Sequence, residues 1–307
     1  MYVDLSVYYP KREGSSFLRF KDTISSMYAS EAVVLMSHQK DRFTEFCNIP
    51  DSKTLILDFS YENIYSSDIE KISSLRSNFK VYTNGIFLDN PSPVFNFSNI
   101  HVEPFFLTHL DKYTPIQETK TSRKHKAFLY MVGKNRPHRV KLLKELYKKN
   151  LLDDGYVSYF FEEEKNFGSP SYLVTLEDDC PDLPLNSSLD VESLTFEVSH
   201  SLSFNREYYD SVDFVIVAET ECDNNRFFFT EKITKCILLN KRFILLSSPN
   251  ALLVLKSECQ RYLNLDISHL TDWVDTSYDS EENLDKRIEM IVREVQKNTT
   301  IYNKKLI

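Results

Sequence analysis

Asp213 to Ser248 reads DFVIVAETECDNNRFFFTEKITKCILLNKRFILLSS, and the fold follows from its pattern. It opens on an apolar, β-branched run, Phe214 to Ala218, and closes on another, Phe243 to Leu246. Between them Ile233, Cys236 and Ile237 fall at i, i+3 and i+4, which predicts one buried helix face. Strand, helix, strand is the repeating unit of a parallel sheet, because parallel neighbours need a crossover. Thr230 suits the cap of that helix and puts Glu231 and Lys232 in its first turn. A helix start gathers unpaired N–H groups and partial positive charge, so a lysine there is a phosphate clamp in waiting. The carboxylate one residue earlier is placed to accept from ribose hydroxyls.

Working outward, 307 residues predict two domains rather than one. A 42% hydrophobic and 27% charged composition predicts a globular soluble protein. The 13% aromatic share suits thick cores and sugar-stacking clefts alike. No run approaches the roughly 18 to 20 apolar residues of a membrane span. Met1-Tyr-Val-Asp-Leu has no basic then apolar leader, so a cytoplasmic chain is expected, in host cytoplasm if the protein is viral. Five cysteines (47, 180, 222, 236, 259) lack CxxC spacing, against both a disulfide framework and structural zinc. Only Cys222 falls in the loop after the first strand of the central unit. Five glycines (14, 85, 133, 155, 168) stand far apart, so neither a P-loop nor a dinucleotide fingerprint can be built. A bound diphosphate must then be gripped by side chains and helix starts.

Residues 1 to about 115 alternate in the manner of a mostly parallel sheet. Strands are expected at Tyr2 to Tyr8, Ala32 to Met36, Thr54 to Phe59, Lys80 to Thr83 and His101 to Leu107. Helices are expected at Phe17 to Ala29 and Asp68 to Asn78, and a turn at Asn84-Gly85. Ligands of such sheets bind beyond the carboxyl ends of the strands, which makes Asp58 and Glu62 candidates for a catalytic base. Glu62 and Glu103 are weaker candidates of this kind than Asp58, for which capping a helix or turn is the competing role.

Leu110 to Ser122, polar and carrying Pro115, reads as a linker. From Lys120 to Lys149 there are eleven Lys or Arg residues and one acid, Glu145, a formal +10 within a chain of −8. Such local charge points to a specific anionic partner. Within it Phe128 to Val132 is a strand and Gly133 to Arg139 leads into a helix with Pro137 in its first turn. Val140, Leu143, Leu146 and Tyr147 form that helix's buried stripe. Further on, Tyr156 to Phe161, Tyr172 to Leu176 and Leu194 to Val198 are apolar fragments between acidic loops. Glu177-Asp178-Asp179 reads as one such loop rather than a metal motif. After Ser248-Pro249 a helix carries Leu252, Leu255, Cys259 and Tyr262 on one face. An aromatic and acidic loop then holds Trp273, Asp275, Tyr278 and Asp279. The final helix, about 280 to 298, carries Leu284, Ile288, Ile291, Val292 and Val295.

Glu219 at a strand end, a short polar loop, then Phe229-Thr230-Glu231-Lys232 opening a helix resembles the donor site of nucleotide-sugar glycosyltransferases. The likeness is to the α-1,3-fucosyltransferase-like group and its phage and giant-virus relatives, and it covers roughly the C-terminal half. A second segment matches in order: Arg139 looks like the group's phosphate-contacting arginine, and Asp153-Asp154-Gly155 like the turn after its helix. The loop before Arg136 and His138 departs from the Ser-Asn beginning usual there. The Tyr278-Asp279 segment is similar to one in the viral relatives.

The resemblance implies a GT-B architecture, two Rossmann-like domains facing across a cleft, here 1–118 on the acceptor side and 119–307 on the donor side. Arg136, Arg139, Thr230, Glu231 and Lys232 would then bind the nucleotide sugar, with Glu219 orienting the sugar or a neighbouring group. The acceptor would be a glycan or other hydroxyl compound, and neither metal nor cofactor is called for. Two rivals stand beside this reading. One is a phage-type enzyme that glycosylates hydroxymethylated bases, its basic band tracking DNA. The other is a binding module without turnover.

Overall fold

The computed structural model describes residues 32–36, 54–59, 79–83, 85–87, 100–102, 114–116, 124–132, 136–159, 203–222 and 226–305. The chain forms two compact units. One comprises Met1–Lys112 with Leu194–Ser199 and Asn225–Phe228; the other comprises Tyr113–Ser193, His200–Asn224 and Phe229–Ile307.

The strands of the first unit are β1 (Ala32–Met36), β2 (Thr54–Phe59), β3 (Phe79–Thr83), β4 (Gly85–Phe87) and β5 (Ile100–Val102). Four of them make a parallel sheet in the order β1-β2-β3-β5. β1 and β2 have the limits expected from their apolar runs. β5 is shorter than expected: it stops at Val102, two residues before Pro104, whose nitrogen has no hydrogen for a ladder. Asp58 lies inside β2 rather than beyond its end, opposite Met36 and Tyr82. The elements expected at 2–8, 17–29 and 68–78, and Glu62 and Glu103, lie outside the described residues.

The second unit supplies β6 (Thr114–Ile116), β7 (Lys126–Val132), β8 (Gly155–Tyr159), β9 (Ser203–Asn205), β10 (Val212–Ala218) and β12 (Phe243–Leu246). Between β10 and β12 the chain makes β11 (Arg226–Phe228), which pairs antiparallel with β4 in the first unit. Four strands form a second parallel sheet, ordered β12-β10-β7-β8. The segment read as a linker contains β6, and Pro115 within it pairs in parallel with Phe204 of β9. A three-residue strand is too short to leave a periodic signature, and proline is tolerated where a ladder is only two strands wide.

The helices among the described residues are α1 (Pro137–Lys148), α2 (Arg206–Asp210), α3 (Glu231–Leu238), α4 (Ala251–Leu263), α5 (Ser268–Thr271) and α6 (Leu284–Lys305). β10 and β12 are buried almost along their length, as parallel strands covered on both faces must be. Their core neighbours include Phe128, Tyr130, Phe214 and Phe243, all essentially inaccessible. At the edge of the sheet the Tyr278 hydroxyl accepts from Leu245 N–H at 3.3 Å. That contact caps an exposed ladder donor and explains why a tyrosine of the acidic loop is buried. Gly155, opposite Phe128 at the start of β8, has no alternative, since a Cβ there would overlap the Phe128 ring. α6 buries Ile288, Ile291, Val292 and Val295 as its spacing predicts, and runs on to Lys305. None of these helices is long and apolar enough to cross a membrane.

The order of the second sheet marks where a candidate site would lie. β7 leads through α1 to β8 on one side, whereas β10 and then β12 lie on the other. The winding reverses between β7 and β10, and small ligands of open parallel sheets bind outside the carboxyl ends of strands at such a reversal.

Candidate functional site

The starts of α1 and α3 meet at the residues that leave β10. The start of α3 is built as its residues dictate. Thr230 is extended at φ −104°, and its Oγ1 accepts from the Lys232 N–H at 3.4 Å and from Lys232 Nζ at 3.3 Å. A hydroxyl has one hydrogen, and Thr230 gives it to Glu219 Oε2 at 2.5 Å. Glu219 Oε1 accepts the Thr230 backbone N–H at 3.0 Å. Both carboxylate oxygens of Glu219 are therefore spent on one threonine, and the carboxylate is fully buried. Burial pushes its pKa up, against the pull of Lys232 and the two Thr230 hydrogen bonds. Glu219 thus holds Thr230, and Thr230 holds Lys232.

Lys232 Nζ donates to Glu231 Oε1 at 2.7 Å, the two side chains being 22% and 19% exposed. Burial works to raise the Glu231 pKa, but Lys232, then Lys235, outweigh it and hold the carboxyl at about 2. Glu231 is thus an ionised acceptor at neutral pH, and Lys232 has used two of its three N–H groups.

From the other side comes the start of α1. His138 and Arg139 fall in its first turn, behind Pro137, and both are buried. His138 Nε2 lies 2.8 Å from the Glu219 carbonyl oxygen, which can only accept, so the proton sits on Nε2. Burial lowers the His138 pKa to about 4, with smaller pushes from Arg139, Arg136 and Arg287. Arg139 Nε donates to the Ala218 carbonyl at 3.0 Å and Nη2 to Thr220 Oγ1 at 3.5 Å. Burial also depresses its pKa, opposed first by Glu219, yet a guanidinium keeps its charge at any ordinary pH. Arg136, at the α1 cap, is half-buried and its side chain makes no hydrogen bond or ion pair among the described residues.

Behind the crevice, Ser247 Oγ donates to the Glu221 carbonyl at 3.2 Å. The Ser247 carbonyl in turn accepts from Arg287 Nη1, and the same guanidinium donates to Glu281 O at 2.8 Å and Glu282 O at 3.1 Å. Asp279 receives the Leu252 N–H at the start of α4, at 3.1 and 3.0 Å to its two oxygens. Residues 218 to 221 are thereby clamped at three carbonyls and two side chains before any ligand arrives.

Cations gather at this end of the sheet, beside Glu219 and Glu231. Arg136, Arg139 and Arg287 all act on one imidazole, and Lys232 stands at the α3 start. Arg139 and Lys232 belong to one neighbourhood, because Glu219 and Glu231 feel both. Such a place can bind an anion by direct charge and by the helix start, and hydroxyls by Glu231. Among the described residues no group of three or more His, Cys, Asp or Glu could hold a metal ion. Among the described residues no disulfide joins Cys222, Cys236 or Cys259.

Among the described residues of the basic run, several charges are engaged within the protein. Arg139 is buried, and Lys126 Nζ donates to the carbonyls of Asp153 and Gly155 at 2.9 and 2.8 Å. Lys141 pairs with Asp285 and Lys148 with Glu145. Of the residues the motif reading named, Arg139, Glu219, Thr230, Glu231 and Lys232 come together, with Arg136 beside them. Asp58 belongs to the other unit. Sequence reasoning missed Arg287, Ser247 and the structural use of His138. For Arg287 the signal was present: it stands four residues before Ile291 and three after Leu284, a charge on an apolar stripe. Comparison of the chain with family models, with curated proteins and with solved structures returns no match.

Proposed function

We propose that the chain is a metal-independent glycosyltransferase of GT-B architecture that moves a sugar from a nucleotide-sugar donor to the hydroxyl of a glycan or other acceptor. The observation that carries the reading is that the starts of α1 and α3 converge on Ala218 to Thr220, with Arg139 on the Ala218 carbonyl and Thr230, which holds Lys232, on the Glu219 carboxylate, at the reversal point of a parallel sheet. In this reading residues 119–307 hold the donor and residues 1–118 face them across a cleft with the acceptor. The acceptor oxygen attacks the anomeric carbon, the bond from that carbon to the phosphate oxygen breaks, and the nucleoside diphosphate leaves with the electron pair. Negative charge on the leaving diphosphate grows along this path, so cations fixed beside it stabilise the transition state more than the ground state. Lys232, Arg136 and Arg139 supply those cations, and the α3 N–H groups add to them. Ionised Glu231 accepts from the ribose, and, if the reaction inverts, Asp58 or Glu62 takes the acceptor proton. The scattering of the basic run favours a compact nucleotide over duplex DNA as the anion.

The test is a thermal-shift and turnover screen of common nucleotide sugars on the wild type and Lys232→Ala. One donor should stabilise the wild type and yield nucleoside diphosphate with an acceptor. The variant should bind it roughly 10- to 100-fold more weakly, the worth of a charge-assisted contact of about 1.5–3 kcal/mol. Equal shifts in both proteins would remove Lys232 from the site.

A further inference from the structure

We propose that Arg287 lends its fixed positive charge to the diphosphate of a bound nucleotide from behind the carboxyl end of the second sheet, without touching it. The inference rests on the nucleotide-sugar reading and deepens it by adding a cation that lies outside the motif. Arg287 comes from α6 and is 1% exposed. Its guanidinium donates to three carbonyls, those of Ser247, Glu281 and Glu282. Among the described residues no carboxylate stands within ion-pair distance of it. Burial depresses its pKa, opposed by Cys222, Asp279 and Glu281, and a guanidinium keeps its charge nonetheless. Asp279, for its part, spends both oxygens on the Leu252 N–H. Carbonyls satisfy the N–H groups of a buried guanidinium but not its charge, and a buried charge without a counter-ion is costly. A tie between α6 and β12 calls for the donors; the charge calls for an anion.

The surroundings say which anion. Arg139 is in the same condition, 2% exposed and bonded to the Ala218 carbonyl and Thr220 Oγ1, with no carboxylate at ion-pair distance among the described residues. The acids nearest to it in effect are already engaged, Glu219 by Thr230 and Glu231 by Lys232. Arg287 holds the residue after β12 and Arg139 the end of β10, neighbouring strands of one parallel sheet. Both guanidiniums, with Arg136, act on the His138 imidazole, so the three charges share one neighbourhood. Such a surplus is cancelled better by a multiply charged anion than by a single carboxylate. Charges act through space in a weakly polarisable interior, so a guanidinium need not touch the anion to stabilise it. Ser247 keeps Arg287 in place relative to the loop leaving β10, taking the guanidinium on its carbonyl and giving its hydroxyl to Glu221 O. A charge fixed in this way costs no reorganisation when the ligand arrives.

The experiment is isothermal titration of wild type, Arg287→Gln and Arg287→Lys with nucleoside diphosphates of the four common bases, then with the monophosphate and the bare nucleoside of the one that binds. Glutamine keeps N–H donors and loses the charge, whereas lysine keeps the charge and loses the fork. In Arg287→Gln, diphosphate affinity should fall about ten-fold, monophosphate affinity about three-fold and nucleoside affinity not at all. In Arg287→Lys, the ratio of diphosphate to nucleoside affinity should stay within about two-fold of wild type, although both variants melt lower. A role confined to packing predicts equal losses for all three ligands, and lysine no better than glutamine. Either of those results overturns the inference and leaves the nucleotide-sugar reading standing. If Arg287→Gln does not fold, Arg287→Lys carries the test, a kept ratio supporting the inference and a lost one overturning it. A wild type that binds none of the diphosphates overturns the nucleotide-sugar reading, and this inference with it.

Discussion

His138 shows how one side chain can serve the site and set the pH response of the fold. Neutral imidazole donates to the Glu219 carbonyl, and burial holds the folded-state pKa at about 4 against 6.5 for an ordinary histidine. Between those values the unfolded chain binds a proton that the folded chain refuses, so stability is intact above pH 6.5 and is lost as the pH falls toward 4. The full loss is about 3 kcal/mol. Melting temperature measured across this window should drop steeply in the wild type, and His138→Gln should flatten the slope. Glu219 and Asp279 are pushed up by burial and act in the opposite sense, but they are common to both proteins. A slope unaltered by the substitution would place the titration elsewhere. Whereas the Thr230 cap could be read from spacing, this tautomer could not. It depends on a carbonyl 81 residues away along the chain.

At the scale of elements, scarce glycine has been replaced by asparagine. Asn150, Asn240, Asn250 and Asn264 have φ of 54°, 51°, 65° and 51°, the left-handed region that usually calls for glycine. Asn240 ends α3 with its own N–H on Ile237 O at 3.1 Å, and Lys241 N–H reaches Cys236 O at 2.8 Å. That closure satisfies carbonyls a helix end leaves open. It also fixes the length of α3, and so the distance from its cap to β12. Asn240→Ala should cost about 1 kcal/mol, and Asn240→Gly should cost nothing or stabilise slightly, as read by denaturant midpoints. Helix stops at 149–150 and 239–240 were therefore legible only in part, because the amphipathic stripe fades before its end. The strands β6, β9 and β11, three residues each, carried no period at all.

On the scale of the whole second unit, α6 is tied to the carboxyl end of the sheet by one buried guanidinium. Arg287 is 1% exposed and donates to Ser247, Glu281 and Glu282 carbonyls, while Lys141 of α1 pairs with Asp285 in the first turn of α6. Truncation to Arg287→Ala leaves three carbonyls short of a donor and a hole among apolar side chains. It should destabilise by about 3 kcal/mol, within the range for breaking a buried network. Hydrogen exchange should then quicken in 247–250 and the first turns of α6 before it does in β7 and β10. Uniform acceleration would mean that the guanidinium stabilises the unit without steering the crevice loop.

By itself, the order of residues determined the strands β1, β2 and β12, the α3 cap, the amphipathic stripes of α1 and α6, and the companionship of Thr230, Glu231 and Lys232. Each of these depends on neighbours within about a helical turn or a strand, where period and capping chemistry are written directly in the chain. Tertiary structure alone decided that Arg139 would spend its donors on Ala218 and Thr220, that Glu219 would be consumed by Thr230, and that Arg287 would be buried. Those outcomes depend on which strand lies beside which, and in a parallel sheet that order is set by crossovers and packing at long separation, to which local pattern is blind.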